Sequence, residues 1–216
     1  MLGLPKSTEV KRPLPKLGLY KRLDWTPSQR ENFDAEVSRL DFVNWISPQT
    51  LPAIAIGNNV KEIFIVEVSL KTRNFDPKTI ALLAKQIPQR IVYLLHYEEE
   101  IRLAVYHTKL FITDWQFLSI NSPFLILQGL NLDAVWENIV RYIGNINSSS
   151  PSPIPNYSFL SPNSSFSNLS EQIKAEEERT KLERQIAALE HKMNATKQPR
   201  RKRELFLELQ KLKNKL

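Results

Sequence analysis

The sequence predicts an α+β protein: a mixed or antiparallel sheet flanked by helices, followed by an antiparallel, coiled-coil-like helical hairpin. Three observations carry this reading. Lys61–Lys71 alternates with the strand period of two. Ile91–Tyr97 and Ile101–His107 read as two strands around a Glu98-Glu99 turn. Beyond residue 169, Leu182, Ile186, Leu189 and Met193 recur at spacings of four, three and four, and Leu205, Leu209, Leu212 and Leu216 repeat that spacing.

Taken in order, residues 1–22 carry three prolines and read as an extended basic N-terminal arm. Thr26-Pro27-Ser28-Gln29 forms a helix start, with Thr26 as cap, Pro27 at the first helical position and Gln29 at the reciprocal capping position. Phe33, Val37 and Leu40 extend that helix to about residue 40. Asp41–Ser47 then reads as a short strand. In Lys61–Lys71, Phe64, Val66, Val68 and Leu70 share one face, while Ile63, Ile65, Glu67, Ser69 and Lys71 share the other. Both faces are partly apolar, which predicts a central strand covered on both sides. Asp76-Pro77 starts the next helix and Pro88 ends it.

In the hairpin, the Glu98-Glu99 turn places Val92 opposite Val105, Leu94 opposite Leu103, Tyr93 opposite Ala104, and His96 opposite Ile101. Pro123–Gln128 reads as a further strand. Leu132, Val135, Trp136, Ile139 and Ile143 mark an amphipathic helix ending near Gly144. The chain thus divides into the arm (1–22), an α/β body (23–145), a Ser/Pro/Asn-rich linker (146–168) and the helical hairpin (169–216).

Composition narrows the function. The 216 residues are 42% hydrophobic, enough for a core of their own, and contain no cysteine, so disulfides, thiolate nucleophiles and Cys-based metal centres are excluded. No apolar run approaches the roughly 18 residues of a membrane span, and the N-terminus lacks an apolar signal region. A cytoplasmic protein is expected. The net charge of +7 sits at the ends: residues 1–22 hold six Lys/Arg against one Glu, and residues 146–216 hold thirteen against eight acids. Such ends suit nucleic acid or an acidic protein surface, and they also occur on proteins with neither partner.

The hairpin carries the binding expectation. Its first helix spans roughly 35–40 Å and its second roughly 25 Å, and long one-sided helices are weakly stable alone. Leu205, Phe206, Leu207, Leu209, Leu212 and Leu216 cover more than a narrow seam, which predicts a partner-binding surface. An intramolecular hairpin, self-association and a different protein are the three ways to cover it. Lys197, Arg200, Arg201, Lys202 and Arg203 form a cationic tip for sequence-independent phosphate contact, with a solvated turn as the plain alternative.

Catalytic signals are weaker. Glu67 and Lys71 share a strand face, which echoes restriction-enzyme-type nucleases, where a strand bears an acid, one residue, then Lys, and a neighbouring strand supplies an Asp. Here Ser69 stands two before Lys71, no Asp is evident at an adjacent strand end, and a structural ion pair is the simpler reading. His96, His107 and His191 are too dispersed for a metal cluster, and the five glycines form no phosphate loop. No Ser sits in a nucleophile elbow. Neither a metal nor a cofactor is expected.

The segments LGLPKSTEVKRPLPK (2–16), EIFIVEVSLKTRNFDPKTIALLAKQIPQRIVYLLHY (62–97), TDW (113–115) and RKRELFLELQKLKNKL (201–216) together resemble a prokaryotic family catalogued as domain of unknown function 4391. The strip at 145–168 departs from its pattern. The resemblance implies genomic company with DNA methyltransferases and helicase-type proteins of restriction or antiphage systems, and it supplies no catalytic residues to carry over. The expectation is therefore a non-enzymatic accessory subunit of a DNA-processing complex, with a helicase or methyltransferase subunit, or a second copy, as partner. The alternative is a divergent metal-dependent nuclease using Glu67 and Lys71.

Overall fold

The computed structural model describes residues 2–118, 125–146, 166–195 and 198–213. The chain divides into two compact units, Met1–Pro162 and Asn163–Leu216. The first is α+β. Among its described residues are β1 (Glu9–Pro13), α1 (Lys16–Tyr20), α2 (Pro27–Glu36), β2 (Val37–Ile46), β3 (Ile63–Leu70), α3 (Pro77–Gln86), β4 (Arg90–Tyr97), β5 (Glu100–Tyr106), β6 (Leu110–Ile112), β7 (Gln116–Phe117) and α4 (Leu132–Gly144). The strands form one mixed sheet of order β1-β2-β3-β4-β5-β6, with β7 also pairing β5. Among the described strands only β3 and β4, joined through α3, run parallel; the other strand pairings are antiparallel.

Local chemistry accounts for most boundaries. At α2 the capping box forms as expected: Gln29 N donates to Thr26 Oγ1 at 3.3 Å, and Thr26 N donates to Gln29 Oε1 at 2.9 Å. The helix stops at Glu36, however, not near 40. From Val37 the chain pairs with β3 over ten residues, so strand pairing overrides the helical spacing of Phe33, Val37 and Leu40. Lys71 N donates to Glu36 O at 2.8 Å, which ties the end of β3 to this helix-to-strand corner.

The N-terminal arm also departs from its expected extended form. It carries a 3₁₀ turn at Lys6–Thr8, the edge strand β1 and the short helix α1, and it buries Leu2 and Leu19. Leu125–Gln128, expected within a strand, have no strand structure, while 123 and 124 lie outside the described residues. The hairpin register matches the sequence reading at all four pairs, from Val92↔Val105 to His96↔Ile101. Its turn places Glu98 at φ 52°.

Alternation sorts the sheet into two faces. One carries Val66, Val68, Leu70, Tyr93 and Leu95 against Leu23, Trp25, Phe33, Ile80 and Leu83. The opposite face is covered at one end by α4, which buries Val135, Trp136, Ile139, Val140 and Ile143 and contacts β5 and β6. Two devices fix α4 there. The Arg90 guanidinium, at the start of β4, stacks 5.6 Å from the Trp136 ring centroid. The Asp133 carboxylate accepts the backbone N–H groups of Asn58 (2.7 Å), Asn59 (3.1 Å) and Val60 (2.7 Å), pinning the loop that feeds β3. Gly57 is required beside it, since a Cβ there would lie 2.5 Å from Asp133 Oδ1.

The second unit consists, among its described residues, of α5 (Phe166–Ala195) and α6 (Pro199–Lys213), which are in contact. Lys213 Nζ lies 2.8 Å from Glu190 Oε1, so the far end of α6 returns alongside α5 and the chain reverses between them. Helical side chains lean toward their own N-terminus, so this pair meets near the level of Ile186 and Leu209, both buried. Arg179 and Glu183 add an i,i+4 pair. The proposed linker is represented only by Ile146 and by the start of α5, since 147–165 lie outside the described residues.

Candidate functional site

The end of the sheet face that α4 leaves open holds a cleft of about 660 Å³. Its floor is a grid of cross-strand neighbours. One row runs Asp41 (β2), Glu67 (β3), Leu94 (β4), and the next runs Arg39, Ser69, His96. Strand alternation aims all six to the same side, and β2 reaches this register because its pairing shifts between Val37 and Arg39 and again between Phe42 and Asn44. Val43 and Asn44 continue the floor, while Leu2, Leu4, Glu9 and Lys11 from the N-terminal segment form a wall. Lys11 takes φ 45° within an irregularity of β1, a conformation costly for a non-glycine residue.

The charges in the cleft are paired. Arg39 grips Asp41 in a fork, Nε to Oδ2 at 2.6 Å and Nη2 to Oδ1 at 2.7 Å. The hydrogen bond to Asp41, with the charges of Asp41 and Glu67, raises the Arg39 pKa further, so this cation is permanent. His96 Nδ1 lies 3.3 Å from Glu67 Oε1. Lys11 Nζ is 3.7 Å from Glu9 Oε2. The carboxylates thus already have cationic or imidazole neighbours, and no group of three or more metal-ligating side chains occurs among the described residues.

The residues singled out from sequence fall in different places. Glu67 lines the cleft. Lys71 does not: its Nζ donates to the Asp34 carbonyl at 2.5 Å, bracing the end of β3 against α2. Asp41, the acid on the neighbouring strand that sequence reasoning did not find, is the direct partner of Glu67. His96 joins this cleft, whereas His107 follows the far end of β5 and has its pKa lowered by burial and by Arg90.

On the helical pair, Leu209 is buried, Leu205 and Leu212 are half-buried, and Phe206 and Leu207 are 51% and 52% exposed. Lys202 and Arg203 are exposed near the start of α6, and Arg200 and Arg201 belong to its first turn. Lys197 and Leu216 lie outside the described residues.

A family model covers residues 2–216, nearly the whole chain. The chain belongs to the family described as Domain of unknown function (DUF4391). No curated protein and no solved structure matches it. In this DUF4391 chain, no helix among the described residues is long and apolar enough to cross a membrane.

Proposed function

We propose that this DUF4391 protein is a non-catalytic accessory subunit that docks a protein partner through α6. The partner is a helicase- or methyltransferase-type subunit of a restriction or antiphage system. The observation that supports this is the exposure of two adjacent large apolar side chains, Phe206 and Leu207, on a helix whose Leu209 is already buried. Covering their exposed surface contributes on the order of 1 kcal/mol each. The cations beginning α6 lie on the same helix and suit sequence-independent contact with nucleic acid held by the partner.

Co-purification of the full-length protein at native expression tests the reading. A partner subunit should accompany the wild type and be lost from a Phe206→Glu, Leu207→Glu double variant that keeps wild-type helicity. A solitary monomer, or a complex indifferent to the double variant, would overturn it.

One observation favours a second reading. Asp41 and Glu67 are cross-strand partners, and two carboxylates on neighbouring strands can share a hard divalent cation that activates water against a phosphodiester. Arg39 and His96 compete for those same carboxylates, which makes this the weaker alternative. Cleavage of DNA or RNA with magnesium or manganese, abolished by Glu67→Gln, would establish it in place of the accessory role.

A further inference from the structure

The cleft is matched to neither a simple anion nor a simple cation. An incoming anion meets Glu9, Asp41 and Glu67, while a cation meets Lys11 and Arg39. A ligand of one sign therefore gains from one set and is repelled by the other. A ligand with both signs a few ångströms apart engages both.

The free atoms fit that requirement. Arg39 commits Nε and Nη2 to Asp41, and its Nη1 takes part in no hydrogen bond among the described residues. Lys11 Nζ, 3.7 Å from Glu9, is beyond hydrogen-bond reach of it. These two can receive a carboxylate. Glu67 turns Oε1 toward His96, leaving Oε2 to accept from an ammonium, and Ser69 lines the same cleft. Leu2 and Leu94 line the cleft but are buried, so an apolar body would rest against the half-buried Leu4 and Val43. The volume exceeds the needs of an ion and matches a small organic molecule. The cleft lies over the carboxyl-terminal halves of the parallel strands β3 and β4.

We infer that the cleft binds a zwitterionic α-amino acid with an aliphatic side chain. Its ammonium sits at Glu67 and Ser69, its carboxylate at Arg39 and Lys11, and its side chain against Leu4 and Val43. This goes beyond the docking role of α6 and does not depend on it.

The test titrates L-leucine into the full-length protein by calorimetry, with methyl NMR of Leu94 locating the binding. L-Leucine should bind and shift Leu94. Glycine, which lacks the apolar body, N-acetyl-L-leucine, which lacks the ammonium, and L-leucine methyl ester, which lacks the carboxylate, should each bind about tenfold or more weakly. Glu67→Gln and Arg39→Gln should each weaken L-leucine by a similar factor. The absence of heat and of a Leu94 shift up to about 10 mM L-leucine would overturn the inference, since weaker binding has no recognition to explain. Equal binding of either blocked analogue to the wild type would also overturn it, whatever the folding of the variants. Failure here leaves the co-purification result standing, so the two proposals fail separately.

Discussion

The two ends of one sheet face differ more than the two faces do. At the end covered by α4, cross-strand rows contain Ile46 beside Ile63, and Ile65 beside Val92 and Val105. Two residues further along β3 and β4, and three along β2 because of its register shift, the row becomes Asp41, Glu67 and Leu94, and the next becomes Arg39, Ser69 and His96. Backbone hydrogen bonding continues through both ends. What changes is the side-chain chemistry. The first end is built for burial, whereas the second keeps charged groups on a central strand pair, where aliphatic residues would stabilise the fold at least as well. That contrast is what the ligand recognition inferred for the polar end requires.

Substitutions of decreasing size test the contrast. The largest effect belongs to Trp136→Ala at the covered end. It removes a ring that is 1% exposed and should cost about 3–5 kcal/mol in urea unfolding, since the site cannot fully collapse. A cost under about 1 kcal/mol would mean that α4 is not part of the core. Next comes Asp133→Ala, which strips three backbone N–H groups of their acceptor and should cost about 2–3 kcal/mol. Hydrogen exchange at Asn58, Asn59 and Val60 should accelerate in the same variant.

At the polar end, Glu67→Gln should change stability by less than about 1 kcal/mol, because the residue is half-buried and the isosteric amide keeps a polar atom facing His96. A large loss would move Glu67 from recognition to scaffolding and erase the distinction between the two ends. The smallest effect is a pH slope from His107. Burial and Arg90 hold its pKa below the ordinary value of about 6.5. As pH falls through that value, the unfolded imidazole takes up a proton before the folded one does. Stability present above it is therefore lost progressively toward the lower folded pKa. Thermal unfolding between about pH 7 and 5 should show this decline, and His107→Gln should flatten it.

Much of the body was legible in the sequence because its signals are local. The β4–β5 register follows from alternation around a two-residue turn, and α4 from an apolar stripe between the Asn131 cap and the left-handed Asn145. β2 was misread where two periods coincide. Phe33, Val37 and Leu40 satisfy a helical spacing, and only pairing with β3 decides that the last two belong to a strand. β1 carries no apolar alternation, since all five of its residues are exposed at the sheet edge. The cleft inherits both difficulties. Placing Asp41 beside Glu67 requires the start of β2 and its two register shifts, none of which has a local signature. Lys71 shared a predicted face with Glu67, yet past the end of β3 its ammonium is drawn to the Asp34 carbonyl.

The clasp of Asp133 on residues 58–60 has a bearing on how the protein assembles. It joins positions up to 75 apart in the chain, so the ribosome delivers the β2–β3 connection long before its anchor. Until α4 emerges, the entry to the central strand stays untethered, and the waiting intermediate displays the aliphatic patch that α4 later shields. Contacts between such remote positions slow folding. A ribosome stalled short of residue 133 should therefore hold a chain that exposes apolar surface and is readily cut by protease near Gly57.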